Sequence, residues 1–357
     1  MRLLRRKAAD RSPGRLILAR VALDGMGGDY APAAPVAGAL MALAELAPDD
    51  RVQLVGRESV LRDQLGALLS GEHAALTPHA DRIDIVDAPD VIEMSERPSA
   101  ALRGKPKSSM HVGLKLQADG HSDAFVSAGN TGAQMAVTTV ILRLHNGIER
   151  PAIATVFPTA TQPVVVLDSG ANVDCGAPEL VQFAKLGAAY AESVLGRQNA
   201  AIGLLSIGEE PEKGNAVVKE AHQLLSASGL NFIGNVEGRD LPAGACDRGP
   251  FDVVVCDGFV GNVMLKFYEA VAPMMVGLLH KQPGIDAALV AAAFAHLDYS
   301  TYGGAPLLGV NGVSIIAHGK SSARALKNAV LAAARAAKVR LDAHVGERLG
   351  ETPGATA

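Results

Sequence analysis

The chain has 357 residues, enough for one large domain or two ordinary ones, and 48% hydrophobic residues allow a sizeable core although aromatics make up only 4%. A net charge of −4, with no basic stripe interleaved with aromatics, argues against nucleic-acid binding. Three cysteines without CxxC spacing read as reduced cytosolic thiols, and no apolar run reaches the ~20 residues of a membrane span.

Read from the amino end, residues 1–15 form a basic tail. Met1–Arg20 holds seven Arg or Lys against one Asp, without the apolar stretch or cleavage site of a targeting peptide. Residues 16–345 are expected to make a single α/β domain, and 346–357 a flexible tail. Hydrophobic patterning predicts strands over Leu16–Leu23, Val52–Val55, Ile83–Val86, Ala124–Val126, Ala152–Phe157, Val164–Leu167, Ala201–Leu205, Phe232–Asn235, Val253–Cys256 and Val313–Ile316. Helices are expected over Ala33–Glu45, Ser59–Leu69, Met110–Leu116, Gly132–Leu144, Pro178–Leu195, Asn215–Ser226, Asn262–Leu279 and Ala323–Ala337. The alternation predicts a mainly parallel sheet with helices on both faces. The link Pro158–Pro163 is short enough for a hairpin between two consecutive strands, so the sheet is expected to be mixed.

Ligands of such sheets bind beyond the carboxyl ends of strands. Asp24-Gly25-Met26-Gly27-Gly28-Asp29 follows the first strand without GxGxxG spacing. Its glycines allow close backbone approach, and its aspartates hold a turn or contact a ligand. Arg97, Arg103, Lys105 and Lys107 gather before Ser108-Ser109 at a helix start, a solvated charge run or an anion site. Ser127-Ala128-Gly129-Asn130-Thr131-Gly132 is a strand-to-helix corner, where backbone N–H groups and the positive end of the helix dipole favour an oxyanion or phosphate. The alternative is plain helix capping.

Asp168–Cys175 mixes carboxylates, a hydroxyl and the Asn172 amide; Cys175 lacks the neighbouring His of a nucleophile. Gly208–Asn215 carries Lys213, Gly214 and Asn215 but not a complete P-loop. Asp257-Gly258-Phe259-Val260-Gly261-Asn262 opens a helix, with Lys266 one turn beyond Asn262 on its face. His318-Gly319-Lys320-Ser321-Ser322 precedes the last long helix, where the histidine is a capping residue or a general acid/base. No His and carboxylate pair has metal-ligand spacing, and there is no GxSxG elbow. The chemistry suggested is anion binding at several helix N-termini.

Taken in order, with Tyr302–Gly312 added, these eight motifs resemble the bacterial phosphate acyltransferases over about Val21–Val339. The resemblance implies a three-layer α/β/α fold with a mixed, mainly parallel sheet, similar to the isocitrate and isopropylmalate dehydrogenases and to phosphotransacetylase. It implies transfer of a long-chain acyl group from acyl carrier protein to inorganic phosphate, a homodimer, and no cofactor. It further implies a downstream membrane glycerol-3-phosphate acyltransferase and a cytoplasmic protein in weak contact with the inner membrane surface. On that footing Asn130, Lys213, Asn262 and His318 are the expected catalytic groups, with His318 delivering a proton to the departing thiolate. Asp24, Gly27, Gly28, Arg103, Lys105, Ser127, Gly129, Thr131, Gly132, Asn172, Gly214, Asn215, Asp257, Gly258, Lys266 and Ser321 are the expected substrate and phosphate contacts.

The chain departs from the family pattern between Lys266 and Tyr302, where such enzymes carry a longer, more basic helical hairpin; here about 262–298 is expected to be an apolar hairpin, either a tip for lipid or a helix pair buried in a dimer. From Glu269 to Asp298 it has one Lys or Arg, Lys281, beside Met274, Met275, Leu278, Leu279, Leu289, Val290 and Phe294. With so little positive charge, attraction to anionic lipid is expected to be weak unless the basic tail supplies it. Two other readings stay open: a decarboxylating dehydrogenase, which would need clustered aspartates and a nucleotide loop, and a scaffold that binds acyl carrier protein without turnover.

Overall fold

The computed structural model describes residues 18–279, 281–282, 286, 289–290 and 299–350. The expected basic tail, the last seven residues and most of the hairpin's second arm lie outside the described residues.

In chain order the strands are β1 (Arg20–Asp24), β2 (Arg51–Gly56), β3 (Ile83–Asp87), β4 (Ala124–Ser127), β5 (Ala152–Ile153), β6 (Thr155–Phe157), β7 (Val164–Leu167), β8 (Ile202–Ser206), β9 (Phe232–Glu237), β10 (Ala245–Cys246), β11 (Gly249–Pro250), β12 (Val253–Val255), β13 (Ala305–Leu308) and β14 (Ser314–Ile316). The helices are α1 (Ala33–Glu45), α2 (Glu58–Ser70), α3 (Pro98–Gly104), α4 (Ser109–Ala118), α5 (Thr131–Leu142), α6 (Ala177–Leu195), α7 (Ala216–Ser226), α8 (Gly258–Leu279), α9 (Ala323–Lys338) and α10 (Leu341–Arg348).

Seven strands pair in the order β3-β2-β1-β4-β14-β13-β5, and five in the order β6-β7-β12-β8-β9. β3, β2, β1, β4 and β14 run parallel, as do β7, β12, β8 and β9. The single sheet expected from the sequence is thus two. The division falls inside the expected strand Ala152–Phe157. Ala152 and Ile153 pair with β13, and Ala154 donates its N–H to the Pro306 carbonyl at 3.0 Å. Pro306 has no N–H to return, so the ladder stops there. Thr155–Phe157 then pair antiparallel with β7, forming the expected hairpin.

Valine and alanine runs form the central parallel strands because both faces are buried. Along β1, Val21 and Leu23 face α1 and α9, whereas Ala22 faces the opposite way, toward a cluster holding Met110 of α4 and Val137 of α5. A Cβ at Gly38 would stand 2.9 Å from the Leu326 Cβ, so this glycine sets how closely α1 and α9 approach.

The sequence did not predict β13, α3, α10 or the β10–β11 ribbon. The Arg97–Ser108 loop contains α3, begun by Pro98 at the first turn, where proline's fixed φ suits a helix. The hairpin's first helix starts at Gly258, four residues before the expected Asn262, because Asp257 accepts from the Val260 N–H at 2.8 Å and caps it there.

Candidate active site

β1, β4 and β14 are parallel neighbours, so the loops after them leave one edge together. The Asp24 carboxylate, buried at the root of the first loop, accepts from Ser127 Oγ at 2.7 Å and from the Met26 N–H at 3.0 Å. Ser127 Oγ in turn accepts from the Gly129 N–H at 2.9 Å. Gly27 leaves no room for a side chain: a Cβ there would lie 2.6 Å from Asp24 Oδ2 and 2.8 Å from the Gly129 nitrogen. Gly28 has φ +100°, and the Asp29 N–H donates to the Gly319 carbonyl at 2.8 Å, tying the first loop to the third.

Burial pushes the Asp24 carboxyl up from its ordinary value, against the hydrogen bonds of Ser109 and Ser127 and the Met26 and Gly27 amides. A carboxyl that holds its proton more tightly when folded costs stability as pH rises from about 4 through its folded pKa. Asp24→Asn keeps the shape and removes this titration. The melting temperature of the native chain minus that of Asp24→Asn is therefore expected to fall between pH 4 and 7. A difference flat in pH would contradict the assignment.

The second wall comes from the loops after β7 and β12. Buried Asp168 accepts from the N–H groups of Ile153, Ala171 and Asn172 and from Asn172 Nδ2, at 2.9, 3.1, 2.5 and 3.0 Å. Asn172 also donates to the Pro151 carbonyl at 2.8 Å and accepts from the Gly258 N–H through its own carbonyl at 2.7 Å. A Cβ at Gly258 would meet Asp168 Oδ2 at 2.5 Å, so the start of α8 lies directly on this loop. Burial, with Asp168, Glu179 and Asp257 nearby, pushes the Cys175 thiol up to about 12, so near neutral pH it carries its proton and is a poor nucleophile.

Between the walls lies a cavity of about 560 Å³, a size suited to a small ligand. Its polar lining includes Thr131 at the start of α5, Asn262 and Lys266 on α8, and His318, Lys320 and Ser321 before α9. Ile153, Val156, Leu265 and Ile316 supply apolar wall. The Lys320 N–H donates to His318 Nδ1 at 3.1 Å, so the neutral ring carries its proton on Nε2.

Five expected site residues thus share the cavity: Thr131, Asn262, Lys266, His318 and Ser321. The other expected residues do not line it. Asn130 Oδ1 accepts from the Ala133 N–H at 2.9 Å, and its Nδ2 donates to the Met94 and Glu96 carbonyls at 2.8 and 2.9 Å, which occupies both amide protons. Gly132 stands where a Cβ would lie 2.8 Å from Pro98 Cγ. Lys105 Nζ donates to the Val91 carbonyl at 2.6 Å and pairs with Glu96, while Arg103 is exposed on α3. Asn215 caps α7 by accepting from the Val218 N–H at 2.9 Å. Lys213 is exposed after β8, its stem passing over Gly208, and Gly214 turns the chain there with φ +97°. None of Lys213, Gly214 and Asn215 lines the cavity. The sequence reading did not select Lys320, Glu269, Tyr302 or Thr155, which do line it. The signal for Lys320 was its place before a serine pair at a helix start, the same pattern as Lys107-Ser108-Ser109.

Residues 19–343 match the family described as fatty acid synthesis protein. A phosphate acyltransferase from Desulforamulus reducens is 45% identical over 320 residues, covering 87% of this chain and 91% of its own length. Another, from Salinibacter ruber, is 46% identical over 315 residues, covering 85% and 90%. Among solved structures, the EutD phosphotransacetylase from Staphylococcus aureus matches with a TM-score of 0.59 at 15% identity, over 90% of this chain and 94% of that one, a likeness of fold.

Proposed function

Since the chain belongs to the fatty acid synthesis protein family and is a phosphate acyltransferase, we propose that its acyl donor is the thioester of acyl carrier protein and its product a long-chain acyl phosphate for phospholipid synthesis. The observation that carries this reading is the cavity itself: uncommitted donors from the beginnings of α5 and α8 and the loop before α9 face an apolar wall.

Inorganic phosphate sits against the Lys266 and Lys320 ammoniums, near the helix N-termini that favour anions. The acyl chain lies along Ile153, Val156, Leu265 and Ile316. A phosphate oxygen attacks the thioester carbon, forming a C–O bond and a tetrahedral oxyanion that accepts from the Asn262 amide. Collapse breaks the C–S bond. Hydrogen phosphate loses its own proton as acyl phosphate forms, and the departing carrier thiolate takes one up. The phosphate proton ends on the thiolate, and the neutral His318 ring donates a hydrogen bond from Nε2–H to the sulfur as its charge develops. The chemistry uses no metal or redox cofactor. Release of free carrier thiol that depends on phosphate, with acyl phosphate appearing in equal amount, tests the reading.

The same proposal includes a homodimer and hand-over of the product to a membrane glycerol-3-phosphate acyltransferase. What supports a membrane contact is α8, 22 residues long and apolar enough by length and composition to cross a bilayer, with Phe267 71% exposed and Met274, Met275 and Leu278 also exposed. Its first turns frame the cavity, so we read it as lying at the surface of the bilayer. The chain is expected to sediment with anionic vesicles at low salt and to be released as salt screens the basic amino-terminal segment. Sedimentation indifferent to salt would exclude that segment from the contact.

A further inference from the structure

Thr155 opens β6 opposite Val166, is 8% exposed, and borders the cavity beside Ile153 and Val156. Among the described residues its Oγ1 has no hydrogen-bond partner. Among the described residues, several buried polar atoms share that condition, and of these Thr155 alone borders the cavity. The neighbouring hydroxyl is different: Ser169 Oγ donates to the Val166 carbonyl at 3.0 Å. Strand formation does not need the Thr155 hydroxyl, because valine has the same branched shape and an equal preference for strands. An unpaired buried hydroxyl opposes folding, so its presence on this wall points to a partner that arrives with substrate.

Resting on the phosphate acyltransfer read above, we propose that Thr155 Oγ1 donates a hydrogen bond to a substrate oxygen in the cavity, thereby helping to hold the reacting group opposite Asn262 and Lys266. The two oxygens chemically suited to this are one on phosphate and the thioester carbonyl as it becomes an oxyanion. Both need a donor and neither needs a base, which fits a hydroxyl set in an apolar wall.

The test compares the native chain with Thr155→Val and Thr155→Ser, at varied phosphate and saturating acyl-carrier-protein thioester. Thr155→Val is expected to lose roughly tenfold in kcat/KM, the effect of one hydrogen bond, while its melting temperature is unchanged or raised. Thr155→Ser is expected to recover most of the rate. A loss carried by KM for phosphate assigns the bond to phosphate, and a loss carried by kcat assigns it to the carbonyl. Thr155→Val with native kcat and KM overturns the proposal. If the native chain itself makes no acyl phosphate, the functional reading fails. The hydroxyl is then judged by the rise in melting temperature that inorganic phosphate gives the native chain. A smaller rise in Thr155→Val supports the bond, and an equal rise or none in either overturns it.

Discussion

Replacing Asn262 by leucine is expected to lower kcat by about 10²- to 10³-fold, the usual consequence of removing one preorganised oxyanion donor. Asn262 sits in the first turn and a half of α8 and faces the cavity. No hydrogen bond within the described residues occupies its amide, in contrast to Asn130 and Asn172. Gly170 brings a bare backbone to it, with a Cβ there 3.5 Å from the Asn262 Cβ, so the side chain is held by contact and its amide stays available. Leucine has the same number and branching of side-chain heavy atoms and is the better helix former, so the fold should survive. Steady-state kinetics beside a thermal melt separate the two effects. A normally melting Asn262→Leu with native kcat would remove Asn262 from the chemistry.

Gly261→Ala is expected to damage fold and activity together. A Cβ at this position would run into the carbonyl oxygen of Asp168, and that oxygen belongs to backbone held in place by the hydrogen bonds Asp168 collects. α8 would have to lift from the Asp168–Asn172 loop, carrying Asn262 and Lys266 away from the opposite wall. Overpacking of this kind costs about 1–3 kcal/mol or more, enough to lower the melting temperature by several degrees. Gly277 in the same helix is the control, because a Cβ there meets nothing within 4 Å. Gly277→Ala should melt at the native temperature or above and keep its activity, since alanine is the better helix former. Equal melting temperatures for Gly261→Ala and Gly277→Ala would show that this contact is not a close one.

How much of this was legible in the sequence depended on whether the signal was local. Val253–Val255 and Val164–Leu167 are apolar runs whose period and length announce buried strands. The link Pro158–Pro163 announced the hairpin. The split at Ala154 was not legible, because it depends on Pro306, some 150 residues away, meeting that position of the strand. The corners too were readable, since glycine, serine and asparagine cluster where strands end. Their division of labour was not. Asn130 and Asn262 are both asparagines near helix starts, yet one spends its amide on the Met94 and Glu96 carbonyls and the other faces the cavity. That difference comes from the loop crossing over Asn130, which no local pattern encodes. Lys213 and Lys320 make the same point. Each precedes a helix, but β14 adjoins β4 in the first sheet while β8 lies beyond β12 in the second, and Lys320 alone of the two lines the cavity.

Direct transfer of the acyl group to phosphate leaves an isotopic trace. Its most direct measurement uses purified chain, long-chain acyl carrier protein and phosphate labelled with ¹⁸O, followed by mass analysis of the lipid product. The expected result is acyl phosphate bearing the label in its bridging oxygen, formed in equal amount with free carrier thiol and absent without phosphate. Thiol release that proceeds equally without phosphate, giving unlabelled fatty acid, would contradict the account.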